Sequence, residues 1–146
     1  MDRRAIEPAA WTLLAAAAFL VMGSARASTS TLYERMGGEP VVSAVVGDLI
    51  DQAASEPRLK RSFAKVGLKR LKQSLARQIC EISGGGCAYE GDSMHDVHAG
   101  LGITQAEFYG LVELLRRDLR AHGVALRERN ELLALLAPMK RDIVER

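Results

Sequence analysis

The sequence predicts an all-α domain, and three observations carry that prediction. Apolar residues recur at spacings of three and four in several stretches, almost nothing alternates with period two, and aromatic residues make up only 5% of the chain. The 146 residues are 48% hydrophobic and 26% charged, a balance that suits one globular core rather than disorder or several domains.

In chain order, TSTLYERM before Gly37-Gly38 reads as one or two helical turns with Ser or Thr as cap. Glu39-Pro40 opens a second helix with proline at its first position, where the missing N–H is no loss. Its stripe is Val42, Val45, Val46, Leu49, Ile50 and Ala53, and Pro57 marks its end. Leu68, Leu71, Leu75, Ile79 and Ile82 form the next stripe, with Lys69, Arg70, Lys72 and Arg77 off that line, and Gly84-Gly85-Gly86 stops the helix. A short piece spans MHDVH. After it, Thr104 and Glu107 form a capping box ahead of Phe108, Leu111, Val112, Leu115 and Leu119, with Gly123 at the far end. A last helix uses Leu132, Leu133, Leu135, Leu136, Met139 and Ile143, and Pro138 predicts a kink or early stop.

Residues 1–27 have the layout of a secretory signal: Arg3 and Arg4, an apolar run from Trp11 to Met22, and Ala25-Arg26-Ala27 as cleavage site. An uncleaved anchor is the competing reading, although the run is shorter than the ~20 residues a span needs. The expected mature domain is 28–146, periplasmic or secreted and free of the membrane. Its 17 basic and 16 acidic side chains are too evenly matched for a nucleic-acid partner. In an oxidising compartment Cys80 and Cys87 either pair across a short loop, a bond worth about 2–3 kcal/mol, or remain two buried thiols.

The chemistry-bearing residues are few. A zinc site from Cys80, Cys87, His95 and His98 has the spacing of no common zinc module. No nucleophile signature and no phosphate-cradling loop is present. His98 follows Val97 and is succeeded by Ala99-Gly100-Leu101-Gly102-Ile103, small or apolar residues that let a flat, greasy group approach the backbone. His95, three residues earlier, falls off that line and faces solvent.

Taken together, LYERMGGEP, SEPRLKRSF, RLK at 70–72, the glycine cluster, YEGDSM, HAGLGIT and LLALLAPMKRDIV keep the order and spacing of one family. Over residues 31–144 the chain resembles the group 1 truncated haemoglobins. The resemblance implies a truncated globin-like two-over-two helical sandwich holding haem b, with His98 as proximal iron ligand and a diatomic gas (O2, CO or NO) on the other face. It places Phe63 against the porphyrin face, Tyr89 and Met94 on the proximal side or haem edge, and Val97 and Ile103 beside His98. Ordinary core packing is the alternative role for Phe63, Tyr89 and Met94. Arg70 and Lys72 either pair with haem propionates or belong to a solvated face. The family's distal tyrosine and glutamine are replaced by Ile50 and Leu75, and Leu71 lies over the iron, so the pocket is unusually apolar. A non-enzymatic gas carrier or sensor is the expected function. A haem enzyme detoxifying nitric oxide or peroxide, served by an unidentified reductant, is the alternative.

Overall fold

The computed structural model describes residues 29–145. The leader read from residues 1–27 lies outside the described residues, as do Ser28 and Arg146 at the two ends of the expected domain.

Seven helices are present among the described residues, with no strand: α1 (Leu32–Arg35), α2 (Gly38–Ser55), α3 (Leu68–Ile82), α4 (Met94–His98), α5 (Gln105–Ala121), α6 (Leu126–Leu136) and α7 (Lys140–Ile143). Two 3-10 turns, Lys60–Phe63 and Ala137–Met139, join them. None of the described helices is long and apolar enough to cross a membrane.

The all-apolar stripe makes α2 the centre of the molecule. Val42, Val45, Val46, Leu49, Ile50 and Ala53 are all buried, and α2 packs on α3 on one side and α5 on another. With α6 against α5, the pairs α2–α3 and α5–α6 form the two layers of a two-over-two sandwich, and α1 ties the layers together by touching α2 and α6. Leu115, Leu119 and Leu132 complete the core from the second layer.

The helix ends follow the chemistry of their residues. Thr104 and Glu107 exchange both capping-box bonds at the start of α5, so two orphan backbone donors are satisfied reciprocally. At its other end Gly123 takes a φ of +78°, its N–H bonds Arg120 O and the Val124 N–H bonds Leu119 O, which caps the last carbonyls. Pro40 differs from expectation: the hydrogen-bonded helix begins at Gly38, so proline is third rather than first. That position still lies among the residues whose N–H has no intrahelical acceptor, which is why it is tolerated. Pro138 acts as the early stop, ending α6 in a 3-10 turn before α7.

Cys80, buried near the end of α3, and Cys87, in the loop beyond it, are joined in a disulfide with Cα atoms 5.7 Å apart. The turn between them demands glycine. Gly84 has a φ of +83°, and a Cβ on Gly85 would lie 2.5 Å from Cys80 Sγ and 2.6 Å from the Tyr33 ring.

Candidate haem site

The layers leave one apolar face unfinished. Of the other helices only α2 packs closely on α3. Leu68, Leu71, Leu75 and Ile82 accordingly stay half-buried although they continue the same stripe as buried Ile79. Leu71, Leu75 and Gln78, spaced by four and three, lie on one line of the helix. The far end of that line reaches α4 and the C-terminal turn: Gln78 Nε2 donates to Met94 Sδ at 3.3 Å and Met139 Sδ at 3.6 Å. α3 and α4 therefore meet at Gln78 and Met94, and half-buried Leu71 and Leu75 lie on the same line of α3 as that contact.

His98 is the last residue of α4 and is half-buried. Its Nδ1 lies 2.7 Å from Met94 O, one helical turn earlier. A carbonyl oxygen can only accept, so Nδ1 carries the hydrogen, and in the neutral ring Nε2 keeps the lone pair a metal needs. The short helix is started by Ser93, whose hydroxyl accepts the Asp96 N–H and also bonds its carboxylate. Bonds from Ser93 and His95 hold the Asp96 carboxyl below its ordinary range. His95 is exposed, against Asp96, and His122, at the end of α5, pairs with Asp48 Oδ2 of α2 at 2.7 Å. Of the three histidines, His98 alone is bonded to a backbone carbonyl rather than to a carboxylate.

The remaining predicted residues divide. Phe63 ends the first 3-10 turn and packs half-buried on the core, and Met94 is half-buried between Gln78 and His98. Val97 and Leu101 expose 40% and 41% of their surface beside His98, and Ile103 is buried. Large apolar side chains left open around one histidine suit a greasy ligand. Ile50, only 2% exposed, is absorbed into the α2 core more fully than Leu71 or Leu75. Tyr89 spends its hydroxyl on Asp92 O at 3.2 Å within its own loop. Lys72 Nζ is 2.7 Å from Asp51 and so is already partnered. Arg70 points to a polar surface concavity with Tyr33, Glu39 and Gln73, beside the disulfide.

Two features escaped the sequence. The burial of Gln78 between two methionine sulfurs needs the tertiary fold. The second is the further bonding of Glu107: beyond the capping box expected of it, it binds Arg61 and Ser62 from the 3-10 turn. Burial, the largest single effect, raises its pKa. The Arg61 hydrogen bond, the Thr104 backbone and side-chain bonds and the Arg61 charge outweigh burial and bring it down to about 2. A carboxyl with a depressed folded pKa stabilises the fold above its unfolded value, near 4.5, and loses that contribution as pH falls toward 2. Glu107→Gln is thus expected to lower the melting temperature by several degrees at neutral pH, with the gap closing below about pH 4 as wild type loses its advantage. A constant gap from neutral pH to about pH 2 in calorimetry would refute this assignment.

Comparison with known proteins agrees with the fold. The family model for bacterial-like globins matches residues 31–145. The Group 1 truncated hemoglobin GlbN of Nostoc commune is 28% identical over 117 residues, covering 80% of this chain and 99% of that protein. Its counterpart from Mycolicibacterium paratuberculosis is 29% identical over 118 residues, covering 81% and 87%. Among solved structures, truncated hemoglobin from Tetrahymena pyriformis in its Fe(III) form superposes with a TM-score of 0.76 at 23% identity, covering 80% of this chain and all of that one. A Chlamydomonas reinhardtii structure gives 0.66 at 28% identity, covering 81% and 98%. With the two-over-two sandwich and a family match over residues 31–145, this chain belongs to the bacterial-like globin family.

Proposed function

We propose that this chain holds haem b against the unfinished apolar face of α3, with Nε2 of His98 as the iron ligand, and that it reversibly binds a diatomic gas, O2, CO or NO. The observation that carries the reading is the bond from His98 Nδ1 to Met94 O, which orients the ring and leaves the other nitrogen as a donor pair. The Fe(III) form of the Tetrahymena relative supports iron as the metal. Both cysteines of the chain are spent on each other, which leaves no thiol to attach the macrocycle covalently and favours haem b. The same bond needs an oxidising compartment and so supports the periplasmic or secreted localisation expected from residues 1–27.

Haem iron held by an imidazole offers its opposite face to a small gas molecule. The chain's residues decide how well each gas is held. Leu71 and Leu75 line the α3 side, and Ile50 stands where relatives are expected to carry a tyrosine. None of the three has a donor, so O2, which gains most from one, is held weakly, whereas CO and NO lose little. Phe63, Met94, Val97 and Leu101 exclude water from the greasy faces of the ring system. A carrier or sensor role is the reading that the apolar Ile50, Leu71 and Leu75 favour.

Titrating haemin into the purified mature chain tests the reading. We expect a Soret band that saturates at one equivalent and is lost in His98→Ala. A chain that takes up no haemin above a serum-albumin control would overturn it.

A further inference from the structure

The stretch that leaves α4 has little to hold it from within. α4 has five residues, Gly100 and Gly102 take φ values of +76° and +59°, and Leu101 is exposed. Its carbonyls are nonetheless gripped from far along the chain. Arg61, in the Lys60–Phe63 turn, donates from Nη2 to Gly102 O at 2.8 Å and from Nη1 to Leu101 O at 3.4 Å. The same Nη2 pairs with Glu107 Oε2, whose carboxylate also accepts from the Thr104 N–H at 2.9 Å and its hydroxyl at 2.8 Å. Ser62 adds a weaker bond to Glu107 Oε1 at 3.4 Å. One guanidinium therefore spans three acceptors between residues 101 and 107.

We infer that Arg61 is a positioning residue for His98. The Leu101 N–H donates to His98 O at 3.1 Å, so a tie on the Leu101 carbonyl is passed to the histidine's own backbone within one turn. The turn that carries Arg61 ends at Phe63, so the latch fixes the stretch after His98 relative to that phenylalanine. The Gln78–Met94 contact anchors the other end of α4. The direction of Nε2 is then set from both ends of a helix too short to set it alone.

Fork geometry is the reason for arginine. Arg61 is 54% exposed on its side chain, so its charge against Glu107 is screened by water, and the directed bonds to the two carbonyls matter more. A lysine keeps the charge but is a single compact donor that cannot serve three acceptors in different directions.

The iron readout rests on the haem reading above, whereas the loop readout does not. The variants are Arg61→Ala, Arg61→Lys and, as control, Arg58→Ala, which removes an exposed ion pair to Glu56 in the same segment. Amide hydrogen exchange in the haem-free chain is the first measurement. Leu101 and Thr104 are expected to lose protection about tenfold in Arg61→Ala and nearly as much in Arg61→Lys, with α2 and α5 unchanged and no effect of Arg58→Ala. In the haemin-loaded, reduced chain, the iron–imidazole stretching band in the Raman spectrum should shift or broaden in both Arg61 variants. Unchanged exchange at Leu101 and Thr104 in Arg61→Ala overturns the inference. So does a loss of protection spread evenly over α2, α5 and the loop, or full retention of the wild-type band and exchange in Arg61→Lys. A wild-type chain that takes up no haemin defeats the haem reading alone, and the exchange measurement then still decides the latch.

Discussion

Replacing Leu75 with glutamine is expected to slow O2 release by about ten- to a hundredfold while changing CO release little. Leu75 lies on the inner line of α3 between Leu71 and Gln78 and is half-buried, so a side chain of similar length fits without forcing the core apart. The substitution adds a hydrogen-bond donor to a wall that has none at Ile50, Leu71 or Leu75. A hydrogen bond to a partner with charge character is worth about 1.5–3 kcal/mol, which converts to one to two decades in affinity. Bound CO carries less charge and gains less. Flash photolysis of both gases on wild type and variant reads the ratio directly. Equal slowing for both gases would mean a steric effect. No slowing for either would mean that this wall does not face the gas.

Leu132→Ala should cost about 2–5 kcal/mol of folding stability. Leu132 is fully buried and reaches from α6 into the cluster built on Val45, Val46 and Leu49 of α2, so truncation removes several methyl groups' burial and leaves a cavity between the layers. Urea unfolding of the haem-free chain should show a lower midpoint with an unchanged slope, since the surface exposed on unfolding hardly changes. Leu71→Ala, at a half-buried site on the unfinished face, should cost markedly less without haem. Equal costs at the two positions would contradict the placement of the core in α2, α5 and α6 and of the unfinished apolar face on α3.

These expectations draw unequally on what the sequence states. The buried stripe of α2, the capping box of Thr104 and Glu107, and the stops at Gly84 and Gly123 were legible because each is local: periodicity and caps act within one or two helical turns. The first turn of α2 was misplaced by two residues because Gly37 and Gly38, both with positive φ, let the hydrogen-bonded ladder begin before Pro40. His98 was singled out by the small residues after it and by family resemblance. What fixes it was not: the ties from Arg61 to Leu101 and Gly102 span 40 and 41 residues, and the Gln78 contacts span 16 and 61. Nothing in the stretch around Arg61 distinguishes it from Lys60 or Arg58. Such partnerships exist only once α2 has brought α3 and α5 to its two sides.

Raman spectroscopy of the haemin-loaded, reduced chain, in wild type and in His98→Gly with and without added imidazole, tests the central claim most directly. The account predicts an iron–imidazole stretching band in wild type, its loss in His98→Gly and its return when free imidazole fills the vacated space. Absence of the band in wild type, or its persistence in His98→Gly without imidazole, would contradict it.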